Sequence, residues 1–445
     1  MGIPHFLAIP YPVQGHVNPL MQLCHVLTKY GAKVTFLNTE FNHKRTTATC
    51  GGGGGGDNPN INYVTLPDGL EPEDDRSDRE KQLLSIKRTM PPLLPKLIED
   101  VNALHDDENK ISCIVFTGNM GWALEVGNKF GIKGAFLWTA SATSLACCSS
   151  IPNLIHHGII HSSDGKPTKK QEIQISPTMP TINPSDLPWL TIGNTFFPHV
   201  IKLIETMKLA EWWLCNTAYD LEPGSFISQK FLPIGPLMEI NDKSKSSFWQ
   251  EDTTCLEWLD QQQPQSVIYV AFGSMAVVEP NQLNELGLAL DLINKPFLLV
   301  VRPSSKGKNV IPIEFHGLEG KIVSWSPQRK VLNHPSIACF ISHCGWNSTM
   351  EGLCAGVPFL CWSFFADQFL NKTYICDVWR IGIELEKDHE NGLILKEEIK
   401  KKVEELLGNE DIRARSMKMK ELIMNNIVQG GQSSKNIQKF INWAN

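Results

Sequence analysis

The chain is short of the features that mark membrane, secreted and nucleic-acid-binding proteins. No stretch of its 445 residues approaches the ~20 consecutive apolar residues that a membrane-spanning helix needs. Its first residues, MGIPHFLAIPYPVQGH, carry neither a basic segment nor a small-residue cleavage site, so no secretory signal is expected. Phe6 stands where a myristoylation signal beginning at Gly2 wants Ser or Thr. The 12 cysteines include no C-x-x-C pair, and a chain of this size needs no disulfide staples, so reduced thiols and a cytoplasmic location are expected. The sequons at Asn347 and Asn371 are then chance matches. A balance of 41 basic against 47 acidic residues gives −6, without the basic stripe a nucleic-acid partner demands and without a polybasic membrane anchor.

The usual catalytic signatures are missing as well. There is no G-x-G-x-x-G after a strand, no Walker A loop, no G-x-S-x-G elbow and no H-E-x-x-H, which removes the hallmarks of dehydrogenases, P-loop ATPases, α/β-hydrolases and zincins. No Asp-x-Asp offers a metal handle for a nucleotide diphosphate. His156, His157 and His161 lack a carboxylate or cysteine to complete a metal site.

What is present is ordinary globular composition, 42% apolar and 20% charged, enough for two domains. Buried-looking strands alternate with helical patterns in two series. The first holds His5–Pro10, Lys33–Asn38, Ile61–Leu66, Cys113–Thr117, Gly134–Thr139 and Trp212–Asn216. The second holds Val267–Phe272, Phe297–Arg302, Lys321–Trp325, Ala338–His343 and Phe359–Trp362. Apolar, β-branched strands separated by helices predict two parallel, doubly wound sheets. A boundary is expected near Leu232–Leu237 and the polar stretch Asn241–Ser247. Gly51–Gly56 reads as a flexible linker and Glu71–Glu80 as a solvated charge run. His161–Leu190 is too long for a plain connector and suits a lid or pocket wall.

The informative stretch is Trp325–Gln368, WSPQRKVLNHPSIACFISHCGWNSTMEGLCAGVPFLCWSFFADQ. A strand ending at Ser342-His343 turns through Cys344-Gly345-Trp346 into a helix starting near Asn347-Ser348. Ligands of open α/β sheets sit beyond the carboxyl ends of strands, and a helix N-terminus there suits a diphosphate. Gly345 lets the backbone approach, while Asn347 and Ser348 can cap and donate. Glu351 can accept from ribose hydroxyls and Trp325 offers a flat face to a base. Asp367 and Gln368 together can receive and donate hydrogen bonds at a sugar. The set describes a nucleotide-sugar cradle without a metal.

This segment closely resembles the plant secondary-product signature of family 1 UDP-glycosyltransferases. PYPVQGHVNP at 10–19, WTASA at 138–142, CNTAYDLEP at 215–223, LPIGPL at 232–237 and FGS at 272–274 extend the resemblance over essentially the whole chain. It implies the α/β GT-B fold, two Rossmann-like domains facing across a cleft. The acceptor domain would span residues 1–237 and the UDP-sugar domain 248–428, with a helix from 429–445 packing back on the first. By this resemblance Trp325 stacks uracil, Gln328 and Glu351 hold ribose, and His343, Asn347 and Ser348 hold the diphosphate. Ser326, Gly345 and Trp346 complete the donor site, and Ser274 and Thr139 add phosphate and sugar contacts. Gln368 fits glucose as the sugar. The acceptor pocket would draw on Gly15, Met120, Phe136, Ser141 and Phe365. UDP-glucose would enter as substrate, with no cofactor, metal, nucleic acid or membrane span, on a monomer.

His16 is the base that the resemblance implies. Asn18 and Pro19 look like N-cap and N1 residues, and a histidine facing a helix N-terminus stays neutral near pH 7. It would deprotonate an acceptor hydroxyl, which attacks the anomeric carbon opposite UDP and gives a β-glucoside. At the position of the family's histidine-holding aspartate, however, this chain has Thr117. A hydroxyl can accept from the ring but cannot stabilise imidazolium as a carboxylate does. Acidic acceptors such as phenols are therefore expected. Transfer to carbon, nitrogen or sulfur, or a weakly active nucleotide-sugar-binding homologue, stay open as alternatives.

Overall fold

The computed structural model describes residues 3–49, 58–104, 109–193, 196–237, 249–302 and 320–445. The glycine run and the polar stretch 241–247 lie outside them. The chain divides into two compact units, one of Met1–Met179, Gly193–Trp249 and Asn426–Asn445, the other of Pro180–Ile192 and Gln250–Asn425. Residues 180–192 thus group with the second unit, whereas the sequence reading places them in the first.

In the first unit seven parallel strands form one sheet: β1 (His5–Ile9), β2 (Lys33–Thr39), β3 (Ile61–Leu66), β4 (Ile111–Thr117), β5 (Lys133–Trp138), β6 (Trp212–Cys215) and β7 (Phe231–Pro233). Their order is β3-β2-β1-β4-β5-β6-β7. All five β1 residues are buried, because alternate side chains enter different cores. Leu7 and Ile9 pack with Phe116 and Phe136, and Phe6 and Ala8 with Phe36 and the C-terminal helix. That helix, Gln432–Ala444, lays Phe440 5.5 Å from Phe6. It also bonds the end of β7 through Asn436 Nδ2 to the Pro233 carbonyl at 2.7 Å.

Six further parallel strands build the second unit: β8 (Val267–Ala271), β9 (Phe297–Val300), β10 (Gly320–Val323), β11 (Ile337–Ser342), β12 (Phe359–Cys361) and β13 (Gly382–Glu384). They run β10-β9-β8-β11-β12-β13. Ile268 and Val270 face Val403 and Leu406 of the helix Lys396–Leu407 across the core.

Strand order reverses between β1 and β4 in one sheet and between β8 and β11 in the other. Open α/β sheets bind ligands at these switch points, beyond the carboxyl ends of the strands. The charged segment after β3 is anchored rather than simply solvated. Arg76 grips the buried Asp68 carboxylate through Nε (2.8 Å) and Nη2 (3.1 Å) and lies 3.8 Å over the Phe41 ring. Among the described residues no helix is long and apolar enough to cross a membrane, and every cysteine is a free thiol.

Candidate active site

The switch point of the second unit is organised by a histidine. After β11 the chain turns through Cys344, at a φ of +62°, into the helix Trp346–Ala355 with Gly345 as its N-cap. The helix therefore starts before Asn347 and Ser348, which lie in its first turn instead of capping it. His343 is buried here, its ring lying over two glycines. A Cβ at Gly345 would sit 2.4 Å from His343 Nε2, and one at Gly273, after β8, 2.5 Å from it. Both positions need glycine while the ring stays in place. Burial, with the charge of Arg302 adding to it, pulls the His343 pKa down to about 4, so the ring is neutral at pH 7. Arg302 holds the turn after β8 by donating to the Ser274 carbonyl (2.6 Å) and to that of Ala276. A guanidinium and the positive end of a ten-residue helix together favour an anion.

Beside this helix a polar network is already closed. Gln328 opens the helix Gln328–Leu332. Its Oε1 accepts from the Tyr269 hydroxyl (3.1 Å), and its Nε2 donates to Ser348 Oγ (2.8 Å) and Glu351 Oε2 (2.7 Å). Tyr269 and Ser326 share a further bond of 2.8 Å. Gln328 and Glu351, both expected to hold a ribose, here hold one another. Trp325 stays half-exposed after β10, its carbonyl accepting from Asp252 N–H at 2.9 Å.

After β12, the Gln368 carbonyl oxygen Oε1 accepts the backbone N–H groups of Phe364 (2.8 Å) and Phe365 (3.1 Å). This narrows what Gln368 can offer a sugar. Gln368's acceptor is occupied by its own loop, and its amide nitrogen is left to donate. Asp367 accepts from Asn371 at 2.8 Å. Ala366, at a φ of +58°, donates its N–H to Thr191 Oγ1 at 2.6 Å.

In the first unit His16 lies within the first turn of the helix Gln14–Lys29, whose N-cap is Val13 and which runs through Pro19. The expected N-cap at Asn18 is thus corrected. Gln14 Nε2 donates to the Asn18 side chain at 2.9 Å, and the imidazole belongs to the helix it was expected to face. Its pKa is nonetheless lowered to about 4, by burial first and by the positive charge of Arg79 second. The Tyr11 ring meets it edge-on at 5.6 Å. Thr117, the expected partner, is fully buried, and its Oγ1 accepts the Tyr11 backbone N–H at 2.9 Å. The hydroxyl beside His16 Nδ1 is that of Thr139, at 3.3 Å, assigned by the resemblance to the donor sugar.

The geometry therefore sets an anion-suited helix start at one switch point and a neutral histidine at the other. Over residues 181–427 the chain matches the family described as UDP-glucoronosyl and UDP-glucosyl transferase. It is 41% identical to UDP-glycosyltransferase 83A1 of Arabidopsis thaliana, over 100% of this chain and 97% of that protein. The chain belongs to the plant family 1 UDP-glycosyltransferases. It is also 36% identical to the (R)-mandelonitrile beta-glucosyltransferase of Prunus dulcis, over 88% of each chain. Os79 of O. sativa, solved in complex with UDP, shares the GT-B fold at a TM-score of 0.83 and 23% identity, covering 99% of this chain and 100% of that one.

Several residues expected to touch substrates in this transferase are structural. Met120 and Phe136 are wholly buried in the first core, Phe136 lying 5.0 Å from the Phe116 ring. Ser141 is buried too, its hydroxyl capping the helix Ala142–Ser149 by accepting from Ser144 N–H at 3.3 Å. The Trp346 ring packs toward Trp379 at 6.5 Å, which leaves its backbone, at the helix start, as the part placed for a ligand. Gly15, beside His16, and Phe365, in the loop after β12, stay half-exposed. Among the described residues no group of three His, Cys, Asp or Glu side chains is placed to hold a metal ion.

The sequence reading missed Tyr269, Arg302, Arg79 and Thr191. Tyr269 had a signal: a hydroxyl inside the apolar strand VIYVA needs a partner when buried.

Proposed function

We propose that this transferase is an inverting, UDP-glucose-dependent O-glucosyltransferase that forms a β-glucoside on a small lipophilic acceptor, preferring an acidic hydroxyl such as a phenol. The observation that carries this reading is a His16 kept neutral at pH 7, its Nδ1 facing the neutral hydroxyl of Thr139 while Thr117, in the aspartate's place, bonds the Tyr11 backbone. A neutral imidazole accepts a proton, and without a carboxylate beside it the imidazolium gains little stabilisation. An acceptor whose proton leaves readily suits such a base. The charge of Arg79 works in the same direction, since it lowers the Tyr11 pKa against the effect of burial as well as that of His16.

In the reaction, a ring nitrogen of His16 takes the acceptor's proton while the oxygen forms its bond to the anomeric carbon. The bond from that carbon to the UDP oxygen breaks, UDP leaves with the electron pair, and the configuration inverts. The donor would rest with uracil on Trp325, ribose at Gln328 and Glu351, and diphosphate at His343, Ser274 and the first turn through Asn347 and Ser348. Asp367 and the Gln368 amide would meet the hexose. For Gln328 and Glu351 to bind ribose, the bond between them must be shared or exchanged. The mandelonitrile relative supports β-glucosyl transfer to a small molecule. The same reading makes the enzyme a metal-independent cytoplasmic monomer.

The test is incubation with UDP-glucose and matched phenols and aliphatic alcohols without added metal. UDP release and the anomeric configuration of the product are followed. Phenols should react fastest, giving β-products. Preference for alcohols, with no gain in Thr117→Asp, would overturn the acceptor assignment. Absence of UDP release with every acceptor would leave a nucleotide-sugar-binding protein.

A further inference from the structure

The pairing around His16 departs from what the sequence implies. Position 117 follows the family's aspartate, yet the Thr117 hydroxyl faces the Tyr11 backbone N–H at 2.9 Å. It is Thr139 Oγ1 that lies 3.3 Å from His16 Nδ1. The two threonines end up at the carboxyl ends of neighbouring strands for a topological reason. β4 pairs with β5 in parallel, Thr117 opposite Leu137, so the chain leaving β5 at Trp138 reaches the same edge of the sheet two residues later. Thr139 is half-exposed there, whereas Thr117 is wholly buried. Gly118 also borders the ring, where a Cβ would lie 3.0 Å from His16 Cε1 and 3.4 Å from Nδ1. Among the described residues the ring therefore has one side-chain hydrogen-bond partner and a backbone wall.

We infer that Thr139 is the positioning residue of His16, holding the imidazole through Nδ1 in the place of the carboxylate that this chain lacks. The inference rests on the reading of His16 as base. When Nδ1–H donates to Thr139 Oγ1, Nε2 carries the lone pair and is free to accept the acceptor's proton. The opposite tautomer, with Thr139 donating to Nδ1, puts the proton on Nε2 and removes the base. Productive catalysis thus requires the Thr139 hydroxyl to point its own hydrogen elsewhere.

The experiment compares Thr139→Val, Thr139→Ser, Thr117→Asp and the double variant Thr139→Val/Thr117→Asp on one phenol under saturating UDP-glucose. By the resemblance a carboxylate at 117 is the group that holds the ring, and with two oxygens it can also keep the Tyr11 N–H. Thr139→Val should lower kcat about tenfold, the scale of one neutral hydrogen bond, with the KM for UDP-glucose within about twofold of wild type. Thr139→Ser should restore most of the rate, and Thr117→Asp should rescue the valine variant. An unchanged kcat in Thr139→Val overturns the inference. So does a loss that appears in the KM for UDP-glucose and resists rescue by Thr117→Asp, because the threonine would then act on the sugar alone. The reading of His16 as base fails separately, if His16→Ala transfers glucose as fast as wild type.

Discussion

The two switch points solve one problem with their parts exchanged. In the first unit the histidine follows the first strand and a positive-φ glycine follows the fourth: His16 after β1, Gly118 after β4. In the second the glycine follows β8 and the histidine follows β11: Gly273 and His343. Both rings have a pKa drawn down to about 4, chiefly by burial. What differs is freedom. His343 is clamped by a second glycine, Gly345, beside Arg302 and a full helix start. His16 lies less deeply covered than His343 and has Thr139 as its side-chain hydrogen-bond partner. A ring locked among fixed dipoles suits holding charge, and a ring with one open nitrogen suits moving a proton.

The sharpest way to break this division is to remove each ring's function separately. His16→Ala should lower kcat by about 10²–10⁴-fold, the range of general-base catalysis. UDP affinity, measured by calorimetry, should stay unchanged. Gly345→Ala should do the reverse. Its Cβ, 2.4 Å from Nε2, must displace His343. Overpacking costs about 1–3 kcal/mol, read here as weaker UDP binding with the acceptor preference intact. If both variants lose UDP affinity alike, the division of labour is wrong.

A smaller effect is expected from Tyr269→Phe. It strands Ser326 Oγ and Gln328 Oε1 in a buried site. Lost stability of about 1–3 kcal/mol should appear in chemical denaturation, together with a raised KM for UDP-glucose. The smallest is a shift of pH dependence. Neutral His16 is the active form, so kcat/KM should hold level as pH falls from 8 and drop only on approach to about 4. Arg79 lowers that pKa, so Arg79→Gln should raise it and move the acid limb to higher pH.

How much of this was readable in advance depends on how local each feature is. Central strands announced themselves because both faces are covered and nearly every residue is apolar, as in β1 and β11. The two strands missed, β7 and β13, are three residues long and lie at sheet edges, too short for any pattern. β7 even overlaps the stretch read as a boundary. The donor segment was legible because its residues are contiguous and one helix start gathers them. Roles that depend on distant partners were not. Thr139 meets His16 across 123 positions of chain, and Gln368 looked available until the loop folded onto it. Met120 and Phe136 illustrate the converse: closeness in sequence to the end of a strand does not tell which face a side chain takes.

The last helix carries a temporal consequence. Phe6, Ala8 and Phe36, made within the first forty or so residues, are covered in part by Ile437, Phe440 and Ile441. During synthesis, that side of the first sheet stays bare until residues 437–441 have been made, after every residue of the second unit, which runs to Asn425. Since nascent domains fold as units, the half made first is completed last. Until then its open side is a surface for chaperones to shield.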